Sequence, residues 1–342
     1  MKPRWPLLLS LTLGIAIGAL GHAWLGGRSQ ARALEAARAQ TRAAMEKRFA
    51  ARLAAREPAP VEAAPSETPQ ADGAHFSYAY QPPKSPELEP FHQLAAGEDL
   101  LRKLPEIQAT DGMFVLPKPI RYVIAECGQP DAFYAPDKGE VVVCYETMKV
   151  LLERGQQLAR EQDLDEGYPR RYLIANLRFI LLHETGHALI QQLDIPVTGR
   201  EEDAVDQLAT TLMLRFAGAD ESPGEVAANL RMASNWFLVR STGAYNLDAY
   251  ADEHALGEQR YFNLQCLLYG SDPARFSSIV SEGSLTEGRA RLCPAESRRV
   301  GKAWMRLLLP YVAPEHEMTE EKAADALQRR ARVRQENAGE VR

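Results

Sequence analysis

The sequence predicts an α+β domain, mainly helical in its C-terminal part, preceded by a transmembrane helix and a linker. Three observations carry that reading. Two β-branched runs, RYVIAEC (121–127) and EVVVCYE (140–146), read as strands. Beyond them, apolar residues recur at helical spacing. Before them, the first 26 residues are largely apolar, while residues 57–89 hold too few large apolar side chains to join a core.

Residues 1–26 place Lys2 and Arg4 ahead of an apolar run, with Trp5 and Trp24 near its two ends. That is the length and flanking pattern of a bilayer span, read here as an uncleaved signal-anchor. A cleaved signal peptide is the alternative, because Gly21 and Ala23 supply small residues at the cleavage positions. Residues 27–56 carry eight Lys or Arg against two Glu and no Pro. They predict a charged juxtamembrane helix that lies on anionic lipid, with a coiled-coil stalk as the alternative. Residues 57–89 form a Pro/Ala-rich linker. At its end Phe76, Tyr78 and Tyr80 alternate, as in a strand that docks on the domain.

The folded domain is expected over residues 90–314. A helix-like segment at 91–104 comes first. The two strands follow as a hairpin across the turn-rich QPDAFYAPDKG, and a helix follows at 147–160. The charged tail, 315–342, reads as a solvated helix with a frayed end.

Residues 170–193 contain no Pro and one Gly, and Leu173, Leu177, Ile180, Leu181 and Ala188 recur at helical spacing. Inside this helix lies HETGH. His183 and His187, four residues apart, share one face and are spaced to hold one metal ion. Glu184 projects about 100° away, where it reaches a water on that ion without competing for it. This is the H-E-x-x-H arrangement of two zinc ligands and a general base. The bland reading, two core histidines and a buried glutamate, leaves a carboxylate buried without a partner.

A catalytic zinc takes three protein ligands and keeps one open position. The next helical pattern, residues 200–214, opens with Glu201, Glu202, Asp203 and Asp206. Acids at a helix N-terminus favour its dipole, but Asp206 lies a turn further in, beside the apolar face.

Glu202 and Asp206, with Ala209 after them, form E-x-x-x-D-x-x-A. Here the chain resembles the gluzincin metallopeptidases. The resemblance implies Glu202 as third ligand and Asp206 as the carboxylate that supports a ligand histidine. Glu201 and Asp203 stand as alternative ligands. Over about 90–314 the chain also resembles a family of bacterial envelope proteins known only as presumed metallopeptidases, a domain of unknown function. The stretches that carry this are AECGQPDAFYAPDKGEVVVCYE, HETGHAL, GREEDAVDQLA, DEHALGEQRYFNLQCLLYG and RARLCPAESRRVGKAW. It implies a zincin-like fold and peptidase activity. By the same resemblance EVVVCYE is a candidate for the edge strand that pairs with substrate main chain, against an ordinary hairpin strand. His254 is a candidate oxyanion donor, as in some gluzincins. The other reading of 252–254 is a helix start, with Asp252 as N-cap. Arg260 and Asn263 read as structural residues bonding neighbouring loops.

Of four cysteines, Cys127 and Cys144 flank the expected hairpin, Cys266 falls on a predicted helix and Cys293 starts another. None has C-x-x-C spacing, so the even count reads as two disulfides rather than four free thiols. An oxidising compartment places the domain on the periplasmic side of a bacterial inner membrane, held by one pass, or in the periplasm after signal cleavage. The positive-inside rule applied to Arg28, Arg32, Arg38 and Arg42 alone favours the opposite topology. Net charge is −6 with no basic stripe in the domain, which excludes nucleic acid as a partner.

The expected function is zinc-dependent hydrolysis of peptide bonds in a peptide or protein substrate. Zn2+ is held by His183, His187 and Glu202, Glu184 is the base, and His254 or a tyrosine is the oxyanion donor. The alternatives are a catalytically inactive zincin-fold binding or scaffold module of the envelope, and a zinc hydrolase of non-peptide amides.

Overall fold

The computed structural model describes residues 75–218, 221–240 and 247–316. The expected anchor (1–26), the charged helix (27–56), most of the linker and all but the first two residues of the tail lie outside them. Among the described residues, no helix is long and apolar enough to cross a membrane. The architecture is mixed α+β, mostly helical, with one small sheet.

Four short strands, β1 (Ser77–Tyr80), β2 (Arg121–Ala125), β3 (Ala132–Ala135) and β4 (Glu140–Cys144), form that sheet in the order β1-β2-β4-β3. β1 contains the alternating Tyr78 and Tyr80, so the end of the linker stretch does dock as a strand. β1, β2 and β4 run parallel. This corrects the expected hairpin between 121–127 and 140–146. The apolar AFYA, enclosed by Pro130 and Pro136, forms β3, and the hairpin is β3–β4, closed through Gly139 at φ 66°. The positive φ suits glycine, which has no Cβ to clash there.

A second correction follows. EVVVCYE contributes an interior strand, because β4 is paired on both sides. The two outer strands are β1 and β3, and β3 is the one beside β4. The Cys144 N–H donates to the Asp131 carbonyl at 3.1 Å, which fixes Phe133–Val142 and Ala135–Glu140 as the hydrogen-bonded pairs of the antiparallel ladder. The main-chain groups of Ala132 and Tyr134 therefore turn away from β4, toward the free edge.

The larger helices are α1 (Glu89–Gly97), α2 (Pro105–Thr110), α3 (Tyr145–Gln162), α4 (Tyr168–Gln192), α5 (Glu201–Arg215), α6 (Pro223–Arg240), α7 (Gly257–Ser271) and α8 (Cys293–Leu308). α4 is the axis of the domain. Pro169 sits in its first turn, where the missing N–H costs nothing. Beyond its last turn Asp194 takes a left-handed φ of 49° and turns the chain back. α3, α5 and α6 pack around α4, and β3 and β4 lie against it. Its side chains are accordingly buried on nearly all sides, including Leu173, Leu177, Leu181 and Ala188 from the expected apolar stripe. The sheet gives Tyr122, Ile124, Val141 and Val143 to this main core, while Val123, Ala125 and Val142 form a small cluster on its other face.

Two glycines mark close helix crossings. A Cβ on Gly186 would lie 2.8 Å from Cγ1 of Val205 on α5, and one on Gly270 would lie 2.2 Å from the Cys293 carbonyl oxygen. Both expected disulfides form. Cys127–Cys144 ties the β2–β3 loop to the end of β4, and Cys266–Cys293 ties α7 to the start of α8.

The first half of α4 is fixed by a buried charge cluster. Arg178 donates Nε–H to Glu106 of α2 at 3.0 and 3.1 Å, and both terminal nitrogens reach Glu221, at 2.6 and 2.9 Å. Burial pushes the Glu106 carboxyl pKa up, and Arg178 opposes that shift.

Two predictions follow from this packing. Arg178→Ala leaves Glu106 buried without its cation and should lower unfolding stability by about 3–5 kcal/mol in urea titration. A loss below about 1 kcal/mol would mean that Glu106 is satisfied elsewhere. Gly186→Ala forces α4 and α5 apart and should cost about 1–3 kcal/mol. An unchanged urea midpoint would show that Val205 yields freely.

Candidate metal centre

The residues of HETGH face three neighbours, the sheet, its outer strand and α5, because consecutive helical positions project about 100° apart. Thr185 turns to the sheet, where its hydroxyl lies 2.8 Å from the Tyr122 hydroxyl, and it also donates to the Leu181 carbonyl at 2.6 Å. Gly186 lets α5 approach, as above. Glu184 faces the free edge of the sheet, and its carboxylate accepts a hydrogen bond from the main chain of Tyr134. His183 and His187 face the first turns of α5, with ring centroids 5.0 Å apart.

The centre of the site is the Glu202 carboxylate, in the first turn of α5. Its Oε2 lies 3.1 Å from His183 Nε2 and 3.0 Å from His254 Nε2, and its Oε1 lies 3.5 Å from His187 Nε2. Three imidazoles thus present the same nitrogen to one carboxylate. Their other nitrogens are also held alike. His183 Nδ1 lies 2.8 Å from Asp206 Oδ1, His187 Nδ1 2.7 Å from Glu201 Oε1, and His254 Nδ1 3.1 Å from Asp252 Oδ1. A carboxylate on Nδ1 fixes the ring and leaves Nε2 for a ligand.

The fold brings His183, Glu184, His187, Glu202, Asp206 and His254 into one place, though they come from three separate segments. Donor atoms of His183, Glu202 and His254 lie within 4.8 Å of one another, a group able to hold a metal ion. His187 reaches the second oxygen of Glu202 instead. Glu201, weighed as an alternative ligand, is the partner of His187 Nδ1. Asp203, the other alternative, borders a cleft with Arg200 and Phe262.

The chemistry of the donor set suits a divalent cation. Burial works against an imidazolium at His183, yet the hydrogen bonds to Asp206 and Glu202 outweigh it and raise the pKa to about 9. His187 is raised against the same opposition by Glu202 and Glu201, and His254 is raised chiefly by Glu202. In return the Glu202 carboxyl is driven well below the usual carboxylate range, burial notwithstanding, by the three histidines. So many carboxylates around three imidazoles demand positive charge at their centre, which protons or a metal ion can supply. Glu184 is different. Burial dominates and raises its pKa, against the pull of the two histidines.

One residue has a larger part than its sequence context suggested. Arg260, read as a loop-bonding residue, sends Nε and a terminal nitrogen to the two oxygens of Asp206, each at 2.7 Å, and lies 3.9 Å from the Phe237 ring centroid. Arg260 opposes the burial of Asp206 and keeps it ionised beneath His183. The helix-start reading of 252–254 is also corrected. α7 begins at Gly257, so Asp252 does not cap it. Asp252 accepts the His254 main-chain N–H at 2.9 Å as well as facing the ring.

A protein family described as "Putative metallopeptidase" matches residues 80–308, about two-thirds of the chain. No curated protein and no solved structure matches it. The match spans every residue of the His–Glu–His centre, and the chain belongs to this family.

Proposed function

We propose that the protein is a zinc-dependent peptidase with a zincin-like fold, in which His183, His187 and Glu202 bind Zn2+ and Glu184 is the general base. The observation that carries this is the convergence of imidazole Nε2 atoms on Glu202, each ring braced through Nδ1 by a carboxylate. Bound zinc would polarise the scissile carbonyl and acidify a water. Glu184, desolvated beside the two histidines, takes the proton of the attacking water and returns it to the leaving amine. Asp206 holds the His183 ring in position and is itself held by Arg260. Substrate main chain pairs with the outward groups of Ala132 and the outward carbonyl of Tyr134 on β3, the strand whose Tyr134 N–H reaches Glu184.

The remaining parts of the proposal concern location. The two disulfides favour an oxidising compartment, and the apolar N-terminal run favours a single membrane pass, with the domain in the bacterial periplasm and no role for nucleic acid. A catalytically silent envelope module is the competing reading. Against it stands the position of Glu184, whose buried carboxylate lies beside the two histidines as well as accepting the Tyr134 main-chain hydrogen bond.

Two variants test the chemistry. Glu184→Gln should retain about one zinc per chain and lose about 10²–10⁴-fold in kcat/KM against a peptide library. Equal turnover of variant and wild type would remove Glu184 from the mechanism. Glu202→Ala should lose the metal by elemental analysis. Full zinc retention would move the third ligand elsewhere.

A further inference from the structure

Among the described residues, His254 is the third imidazole aimed at Glu202, and a peptidase site built from His183, His187 and Glu202 does not require it for metal binding. We propose that His254 is a fourth protein ligand, so that the resting centre is closed by side chains on all four positions. The inference rests on the zinc reading above and adds a form of self-inhibition to it.

Two features of the structure carry it. The first is position. His254 Nε2 lies 3.0 Å from Glu202 Oε2, the same oxygen that His183 Nε2 meets at 3.1 Å. One ligand atom from each of His183, Glu202 and His254 lies within 4.8 Å of the others. Ligands at about 2.0–2.1 Å from a tetrahedral zinc lie roughly 3.4 Å apart, so the three need move little to share one ion.

The second feature is the orientation of the ring. His254 Nδ1 faces Asp252 Oδ1 at 3.1 Å, as His183 Nδ1 faces Asp206 and His187 Nδ1 faces Glu201. A carboxylate at Nδ1 turns Nε2 toward Glu202, so that His254 presents to the centre the same nitrogen as the other two imidazoles. Asp252 is in turn aligned by the His254 main-chain N–H at 2.9 Å, so the pair is fixed within its own loop.

The four ligands are not equivalent. The His254 side chain is 40% exposed, against 9% for His183 and 18% for His187. It belongs to the loop between the short helix Leu247–Ala251 and α7, whereas the other three ligands stand on the long helices α4 and α5. His254 is therefore the ligand that an incoming carbonyl or water displaces. A zinc site with four protein ligands has no open position, and one with three does. Departure of His254 converts the first into the second, with no bond made or broken other than coordination.

The test uses the full chain, wild type beside His254→Ala, Asp252→Asn and Glu202→Ala, each checked for folding by thermal melting. Zinc affinity is measured by competition with a chromophoric chelator, and coordination by the visible absorption of the cobalt(II)-substituted protein. His254→Ala should bind zinc at least tenfold more weakly, and Asp252→Asn about 10–100-fold more weakly. The cobalt absorption of the wild type should weaken and shift in His254→Ala as water replaces an imidazole. Unchanged affinity together with superimposable cobalt spectra in His254→Ala would overturn the proposal while leaving the three-ligand site intact. Failure of the wild type to bind zinc any better than Glu202→Ala would instead overturn the zinc reading on which it rests.

Discussion

Asp206 is a carboxylate almost wholly removed from water, and the arrangement of the site depends on how its charge is met. One oxygen faces His183 Nδ1 on α4, and both oxygens receive the Arg260 guanidinium from α7, while Asp206 itself stands on α5. Three helices are thus joined at one ion. A carboxylate at this depth is tolerable only with such partners, since breaking a buried pair by removing one member costs several kcal/mol. The same contacts fix the His183 ring, so stabilising the fold and orienting the imidazole are one interaction. The Phe237 ring against the Arg260 guanidinium completes the enclosure from α6.

HETGH is dense because five consecutive helical residues cover every side of the helix, and every side is used. The histidines need a shared face. Gly186 lies on the flank of that face, where α5 must come close enough for Glu202 to reach the rings. Thr185, on the opposite side, couples the helix to β2 through Tyr122. Glu184 takes the remaining direction, toward β3. A residue with a side chain at 186 would push Glu202 away from the histidines, so the glycine belongs to the chemistry as much as to the packing.

The centre also shows how partner carboxylates divide their tasks. Glu202 faces the Nε2 atoms, while Glu201, Asp206 and Asp252 each brace one Nδ1. Successive residues 201 and 202 take opposite duties because neighbouring positions on a helix project about 100° apart. Acids in the first turn of α5 are ordinary for a helix start, and here the dipole and the site call for the same residues.

By itself the sequence determined the local features. Periodicity and turn chemistry placed the helix of HETGH, the acidic helix after it, and the extended conformation of the β-branched runs and of Tyr78 and Tyr80, since each rests on interactions within a few residues. The spacing of His183 and His187 was legible for the same reason. What only the tertiary structure decided are long-range relations: the parallel pairing of β2 with β4, the placement of β3 rather than β4 at the free edge, the bond from Arg260 to Asp206 across 54 positions, and the meeting of His254 with Glu202. Strand order depends on which edges the helices leave open, and a hydrogen bond between distant residues depends on how whole helices cross. Neither has a local signature, because the energy that fixes each is shared among many buried contacts rather than held by the residues that finally touch.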